Sequence, residues 1–178
     1  SAIENVPMLH QAGGDLGLFT DTDGTGYVIY TSIAAGHRVS IERLSDDFTN
    51  TTQNNSGLLP FPGGCYESPL LFARDGAIYA MSAPCCCNCI EGSTVMALRS
   101  TGIFGPYVPA GAAASGCTVS NLNHSQQGTV VTVPSDAPGG VQYLWLGDRW
   151  KSAPDHRKGH DLTVFALLGF GSGGGVER

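Results

Sequence analysis

Leu16-Gly-Leu-Phe-Thr-Asp-Thr-Asp-Gly-Thr-Gly-Tyr-Val-Ile-Tyr30 places apolar residues on both sides of an Asp-Gly turn, the pattern of two antiparallel strands closed into a hairpin. The same plan returns at Leu70-Leu-Phe-Ala-Arg-Asp-Gly-Ala-Ile-Tyr-Ala-Met81. It returns again from Thr129-Val-Val-Thr-Val133 through Gly139-Gly-Val-Gln-Tyr-Leu-Trp-Leu146. Phe19 to Phe72 spans 53 positions and Tyr27 to Tyr79 spans 52, a period that suits propeller blades rather than the shorter repeats of a solenoid. A third strand follows each hairpin. His37–Leu44 carries apolar residues at 39, 41 and 44, Ser93–Leu98 follows the second hairpin, and Leu162–Leu168 follows the third after a polar loop.

The expected fold is therefore an all-β propeller with about three blades in this chain. Residues 1–12 read as a lead-in. The partial propeller covers 13–168, with blade-like units at about 13–50, 65–108 and 124–168, and 169–178 reads as a Gly-rich tail or connector. The stretches 49–64 and 106–123 read as linkers, the first polar and Asn-rich, the second rich in Ala and Gly. In a propeller the inner strands face the central axis, so residues at their starts converge on one end of the channel. Asp15, Glu67 and Gln126 stand just before the three inner strands, and their spacings of 52 and 59 follow the repeat.

Composition narrows the function classes. A chain of 178 residues is long enough for one domain with a real core, and 25 glycines with only 13% charged residues suit a turn-rich all-β fold. The net charge of −6, with nine Lys and Arg scattered along the chain, offers no basic stripe and argues against nucleic acid. No apolar stretch approaches the roughly 18 residues that span a bilayer, and no leader pattern stands at Ser1, so the chain reads as a mature or trimmed segment without a membrane partner. Six cysteines (Cys65, Cys85, Cys86, Cys87, Cys89, Cys117) accompany three N-glycosylation triplets at Asn50, Asn54 and Asn123. Together they point to an oxidising, secretory or extracellular setting.

Several groups carry candidate chemistry. Asp15 and Glu67 are carboxylates brought together by the repeat. Glycoside hydrolysis needs a proton donor at the leaving oxygen and a second group on the opposite face of the sugar, and the competing reading is two turn or strand-edge residues. Asp21-Thr-Asp23-Gly24 lacks the further ligands of a calcium loop, and a hairpin turn explains it, as it explains Asp75-Gly76. The run Asp155-His-Arg-Lys-Gly-His160-Asp161 sits between Pro154 and Gly159 and so reads as a loop, whose imidazole either enters the channel or lies at the surface. Neighbouring cysteines rarely bridge one another, so at least part of the Cys85–Cys89 run is expected to reach outward to Cys65 and Cys117, with pairing between molecules and metal binding the alternatives. Four zinc ligands from five consecutive residues would crowd a tetrahedral site. No cofactor is required, no metal centre is assigned, and no Gly-x-Ser-x-Gly nucleophile motif is present.

The segments Gly14–Tyr30, Tyr66-Glu-Ser-Pro69 with Leu71–Gly76, Ser125-Gln126, and Gly147-Asp-Arg-Trp-Lys-Ser-Ala-Pro-Asp155 with Gly159-His-Asp161 resemble family 43 glycoside hydrolases, nearest the exo-β-1,3-galactanase branch. The resemblance runs in order from about Gly13 to Leu168. It implies a five-bladed propeller of inverting enzymes, of which this chain holds about the last three blades. By the same resemblance Glu67 falls at the general acid and Asp15 at the carboxylate that orients the acid and raises its pKa. Gln126 falls at the glutamine that positions water in the galactanase branch. His160 matches a channel histidine holding a water or a structural ion. Tyr66, Arg149 and Trp150 match sugar-binding positions, with core burial the ordinary alternative for the two rings.

Two departures from the family stand out. The first two blades have no counterpart here, and Cys85–Cys89 replaces the usual Ser-Gly-Cys-Thr-Gly-Trp-like loop at the rim of the sugar site. Two readings follow. One is a secreted inverting glycosidase acting on β-galactan or related plant or algal side chains. The other is an inactive propeller that binds carbohydrate or serves an extracellular assembly. In both, further chain or another subunit completes the propeller, because an open fragment exposes strand edges and faces.

Overall fold

A computed structural model describes residues 8–10, 13–85, 94–111, 118–119, 125–136, 139–150, 155 and 157–177. Three antiparallel sheets follow one another along the chain. The first is four-stranded, in the order β1 (Leu16–Thr20), β2 (Gly26–Ser32), β3 (Arg38–Leu44), β4 (Thr51–Leu58). The second runs β5 (Tyr66–Arg74), β6 (Ala77–Pro84), β7 (Val95–Ser100), β8 (Val108–Pro109), with the short β9 (Thr118–Val119) also on β7. The third is β10 (Gln126–Pro134), β11 (Val141–Asp148), β12 (Thr163–Leu167), and a small hairpin of β13 (Gly169–Phe170) and β14 (Val176–Glu177) closes the described chain. Among the described residues no helix is long and apolar enough to cross a membrane.

The repeat translates directly into register. Phe19 pairs with Tyr27 in the first hairpin and Phe72 with Tyr79 in the second. The second turn is Asp75-Gly76 with φ of 51° and 73°, the double positive φ that a two-residue hairpin loop demands. Alternation then sorts the side chains into two inter-sheet cores. Ile29, Ile41, Tyr66, Leu71 and Leu98 fill the space between the first two sheets, and Phe72, Tyr79, Met81, Trp145 and Val176 fill that between the second and third. The inner strands β1, β5 and β10 pack side by side at the centre. At Gly17 the approach of β1 to β5 is so close that a Cβ would lie 2.7 Å from the Pro69 carbonyl oxygen.

Two segments differ from the sequence reading. Half of the expected linker 49–64 is the outer strand β4, irregularly paired with β3 through two register shifts. Its polar residues hid it, because an edge strand wetted on much of its surface shows no apolar alternation. Within the expected tail 169–178, the described residues form a docked hairpin. Val176 is fully buried and donates its N–H to the Ala110 carbonyl, Tyr79 donates its hydroxyl to Gly174 O at 2.9 Å, and Phe170 packs against Phe72, Tyr79 and Tyr143 beneath the Arg74 guanidinium.

The outermost faces of the stack are open. On the first sheet Leu16 and Leu18 border an apolar cleft shared with Met8, Val28, Leu44 and Phe48. On the third, Val131, Phe165 and Leu167 stand out to solvent. These are the faces on which neighbouring blades would pack.

Candidate active site

The starts of β1, β5 and β10 bring three predicted residues into one hydrogen-bonded cluster. Gln126 donates its side-chain amide to Glu67 Oε2 at 3.1 Å. Asp15 Oδ2 accepts the Ser68 backbone N–H at 2.9 Å and its hydroxyl at 3.4 Å. Gln127 donates its amide to the Ser68 carbonyl, and Ser82 donates its hydroxyl to the Glu67 carbonyl at 2.8 Å. Asp15 therefore reaches Glu67 through the backbone of Ser68.

Local backbone explains the arrangement. Between Glu67 and Leu70 the β5–β6 register shifts, and Ser68 adopts φ 49°, in the left-handed region that a residue with a Cβ seldom occupies. Such a bulge re-aims the side chain beside it and costs on the order of 1–3 kcal/mol, which the bonds from Asp15, Gln127 and Ser82 offset. Gln126 and Gln127 are buried, Glu67 is half-buried and Asp15 is exposed. The cluster thus grades from a closed side on the third sheet to an open side on the first.

Ser68, Ser82 and Gln127 were not singled out from sequence. Ser68 lay inside the Tyr-Glu-Ser-Pro motif, and the Gln126-Gln127 doublet was the available signal for Gln127. Ser82 carried none, since a lone serine late in a buried strand is common.

The other predicted residues sit elsewhere. Tyr66 is 2% exposed, packs against Phe61 at 5.0 Å between ring centroids and donates its hydroxyl to Pro62 O. Its ring turns no face to solvent, so core burial rather than sugar stacking describes it. Arg149 and Trp150 are half-buried after β11, with Arg149 N–H donating to Leu162 O. His160 ends a single 3₁₀ turn, Lys158–His160, is exposed, and pairs through Nδ1 with Asp155 at 2.7 Å. Cys65 and Cys85 form a disulfide two residues before Glu67. Cys86, Cys87, Cys89, Cys117 and Asn123 lie outside the described residues. Asn50 and Asn54 are exposed around β4. Asp21 and Asp23 cap their own turn, Asp23 accepting from Thr25 N–H, which holds its carboxyl below the usual range.

No protein-family model and no curated protein sequence matches the chain. Solved structures do. The exo-β-1,3-galactanase of Clostridium thermocellum superposes with a TM-score of 0.74 over 92% of this chain at 24% identity. A family 43 β-1,3-galactosidase bound to galactodeoxynojirimycin gives 0.67 over 92% at 20%. The Phanerochaete chrysosporium exo-β-1,3-galactanase with β-1,3-galactotriose gives 0.64 over 92% at 17%. The chain has the fold of part of the propeller of these glycoside hydrolases. The chain spans 33%, 45% and 34% of those three proteins, so the five-bladed family 43 propeller is present here only in part.

Proposed function

We propose that this chain is the partial propeller of a secreted, inverting exo-glycosidase that acts on β-1,3-galactan or a related side chain, with the remaining blades supplied by further chain or another subunit. The observation that carries this reading is the Gln126–Glu67 hydrogen bond in a cluster that also joins Asp15. Glu67 protonates the leaving glycosidic oxygen as general acid. Gln126, whose amide is too weakly basic to take a proton at neutral pH, orients the attacking water through its amide oxygen, and the proton that water loses passes to bulk solvent. Asp15 fixes the Ser68 bulge and contacts sugar hydroxyls from the open side.

The 3.1 Å contact has a mechanistic consequence. An inverting pair stands about 6.5–9.5 Å apart so that a sugar ring and a water fit between the two groups. Glu67 and Gln126 touch, so substrate entry has to break their bond and draw the amide away. The bond serves as a resting latch.

An inactive carbohydrate-binding or structural module is the second reading, favoured by the open faces of the first and third sheets. The two separate in one assay on the assembled protein, comparing wild type with Glu67→Gln for galactose release from β-1,3-galactan. Release by the wild type and background release by the variant support catalysis. Equal background release from both leaves the module reading.

A further inference from the structure

We propose that His37, Cys65 and Cys85 form a redox-gated metal site beside the start of β5, closed as a disulfide when oxidised and able to hold a thiophilic divalent cation such as zinc when reduced. His37 Nδ1, Cys65 Sγ and Cys85 Sγ all lie within 4.8 Å of one another, each residue half-buried, and His37 Nδ1 is 3.8 Å from Cys85 Sγ. With zinc–sulfur bonds of ~2.3 Å and zinc–nitrogen bonds of ~2.0 Å, neighbouring tetrahedral ligands stand about 3.5–3.8 Å apart, so the imidazole already occupies a ligand's place beside Cys85.

The backbone keeps the three together without the sulfur–sulfur bond. Cys85 N–H donates to Cys65 O at 2.9 Å, and Tyr66 N–H donates to His37 O at 2.9 Å. His37 holds φ 58° at the end of the β2–β3 turn, so that its carbonyl meets β5. The two cysteine Cα atoms are 5.3 Å apart, close enough for rotation about their χ1 angles to open the sulfurs to a tetrahedral edge. Three protein ligands leave the fourth position to water, as in open zinc sites.

The chemistry balances. A trialkylphosphine gives an electron pair to the disulfide, takes oxygen from water to become the phosphine oxide, and leaves two thiols. The cation then binds both sulfurs as thiolates with release of two protons. The site does not depend on the catalytic reading, and its location two residues before Glu67 makes it a second means of holding β5 in place.

The test uses the whole chain carrying Cys86→Ser, Cys87→Ser and Cys89→Ser, titrated anaerobically with cobalt(II) before and after phosphine reduction. The reduced protein is expected to bind one equivalent with thiolate-to-cobalt charge transfer in the near ultraviolet and a tetrahedral visible band, and the oxidised protein none. His37→Ala in the same background is expected to bind at least roughly tenfold more weakly. Equal binding by oxidised and reduced protein, absence of the band after reduction, or unchanged affinity in His37→Ala would each overturn the proposal. Circular dichroism of each variant before titration identifies any that have unfolded, and wild-type protein with His37→Ala alone then repeats the comparison.

Discussion

Gln126 and Glu67, 59 residues apart in sequence, meet amide to carboxylate at 3.1 Å with the third sheet's inner strand on one side and the second's on the other. Such a bond fixes both partners. Under the proposed mechanism, Gln126→Ala in the assembled protein removes the amide that orients the water and frees Glu67. Galactose release from β-1,3-galactan is expected to fall about 100-fold or more, within the range for loss of a proton-transfer or water-activating group. Release within twofold of wild type would remove Gln126 from the mechanism.

Asp15 acts on Glu67 through Ser68. Asp15→Asn keeps the shape but weakens the grip on the Ser68 N–H, so the bulge shifts and, under the proposed mechanism, Glu67 is misaimed. Turnover is expected to drop at least roughly tenfold while the melting temperature moves by only about 2 °C or less, since Asp15 lies at the exposed end of the cluster. Steady-state kinetics beside a thermal scan separates the two effects.

Tyr30 donates its hydroxyl to Glu42 Oε1 at 2.5 Å in a fully buried pair, and Leu9 N–H reaches the same oxygen at 2.7 Å. Burial first, and the Glu42 bond second, push the phenol up to about 12. A phenol whose pKa is raised by folding stabilises the fold fully below its unfolded value near 10 and loses that contribution as pH climbs through about 12. Urea midpoints are therefore expected to fall between pH 10 and 12. Tyr30→Phe should flatten that fall, and at pH 7 it should cost about 1–3 kcal/mol because a buried carboxylate loses a donor.

Gly17 faces the Pro69 carbonyl with no room for a Cβ. Gly17→Val should overpack the contact of β1 with β5 and lower unfolding free energy by about 1–3 kcal/mol. It should also reduce galactose release, because Pro69 belongs to the bulge that aims Glu67. A stable and active Gly17→Val protein would show that this approach is looser than described.

Leu18 at 71% and Phe165 at 59% exposure sit on the two outermost faces. The chain alone is expected to self-associate through them. Leu18→Lys combined with Phe165→Lys should shift light-scattering mass toward the monomer with little change in melting temperature, since neither side chain is buried.

The hairpin repeat made the three sheets legible, because alternation around Asp-Gly turns encodes strand, turn and facing core at once. It also placed Asp15, Glu67 and Gln126 together, since their spacing follows the repeat. The outer strand β4 was hidden by its polar residues, and β13–β14 by glycines that permit a tail as readily as a tight hairpin. Tyr66 read as a sugar platform because a motif states which residue is present but not which way its ring turns, and it faces the core. Ser82 and Gln127 escaped because a buried polar side chain is recognised by its partners, which only the folded chain supplies.

Each blade is stitched locally, as where Phe19 meets Tyr27, whereas the Asp15–Ser68 and Gln126–Glu67 bonds close loops of 53 and 59 residues. Loop closure is entropically costly and is repaid here only once whole sheets have docked. The cluster should then be the last part of the molecule to form and the first to come apart. Mild denaturant ought to disrupt it while the far-ultraviolet spectrum still reports intact hairpins, so that the proposed galactose release would be a more sensitive gauge of docked blades than strand content.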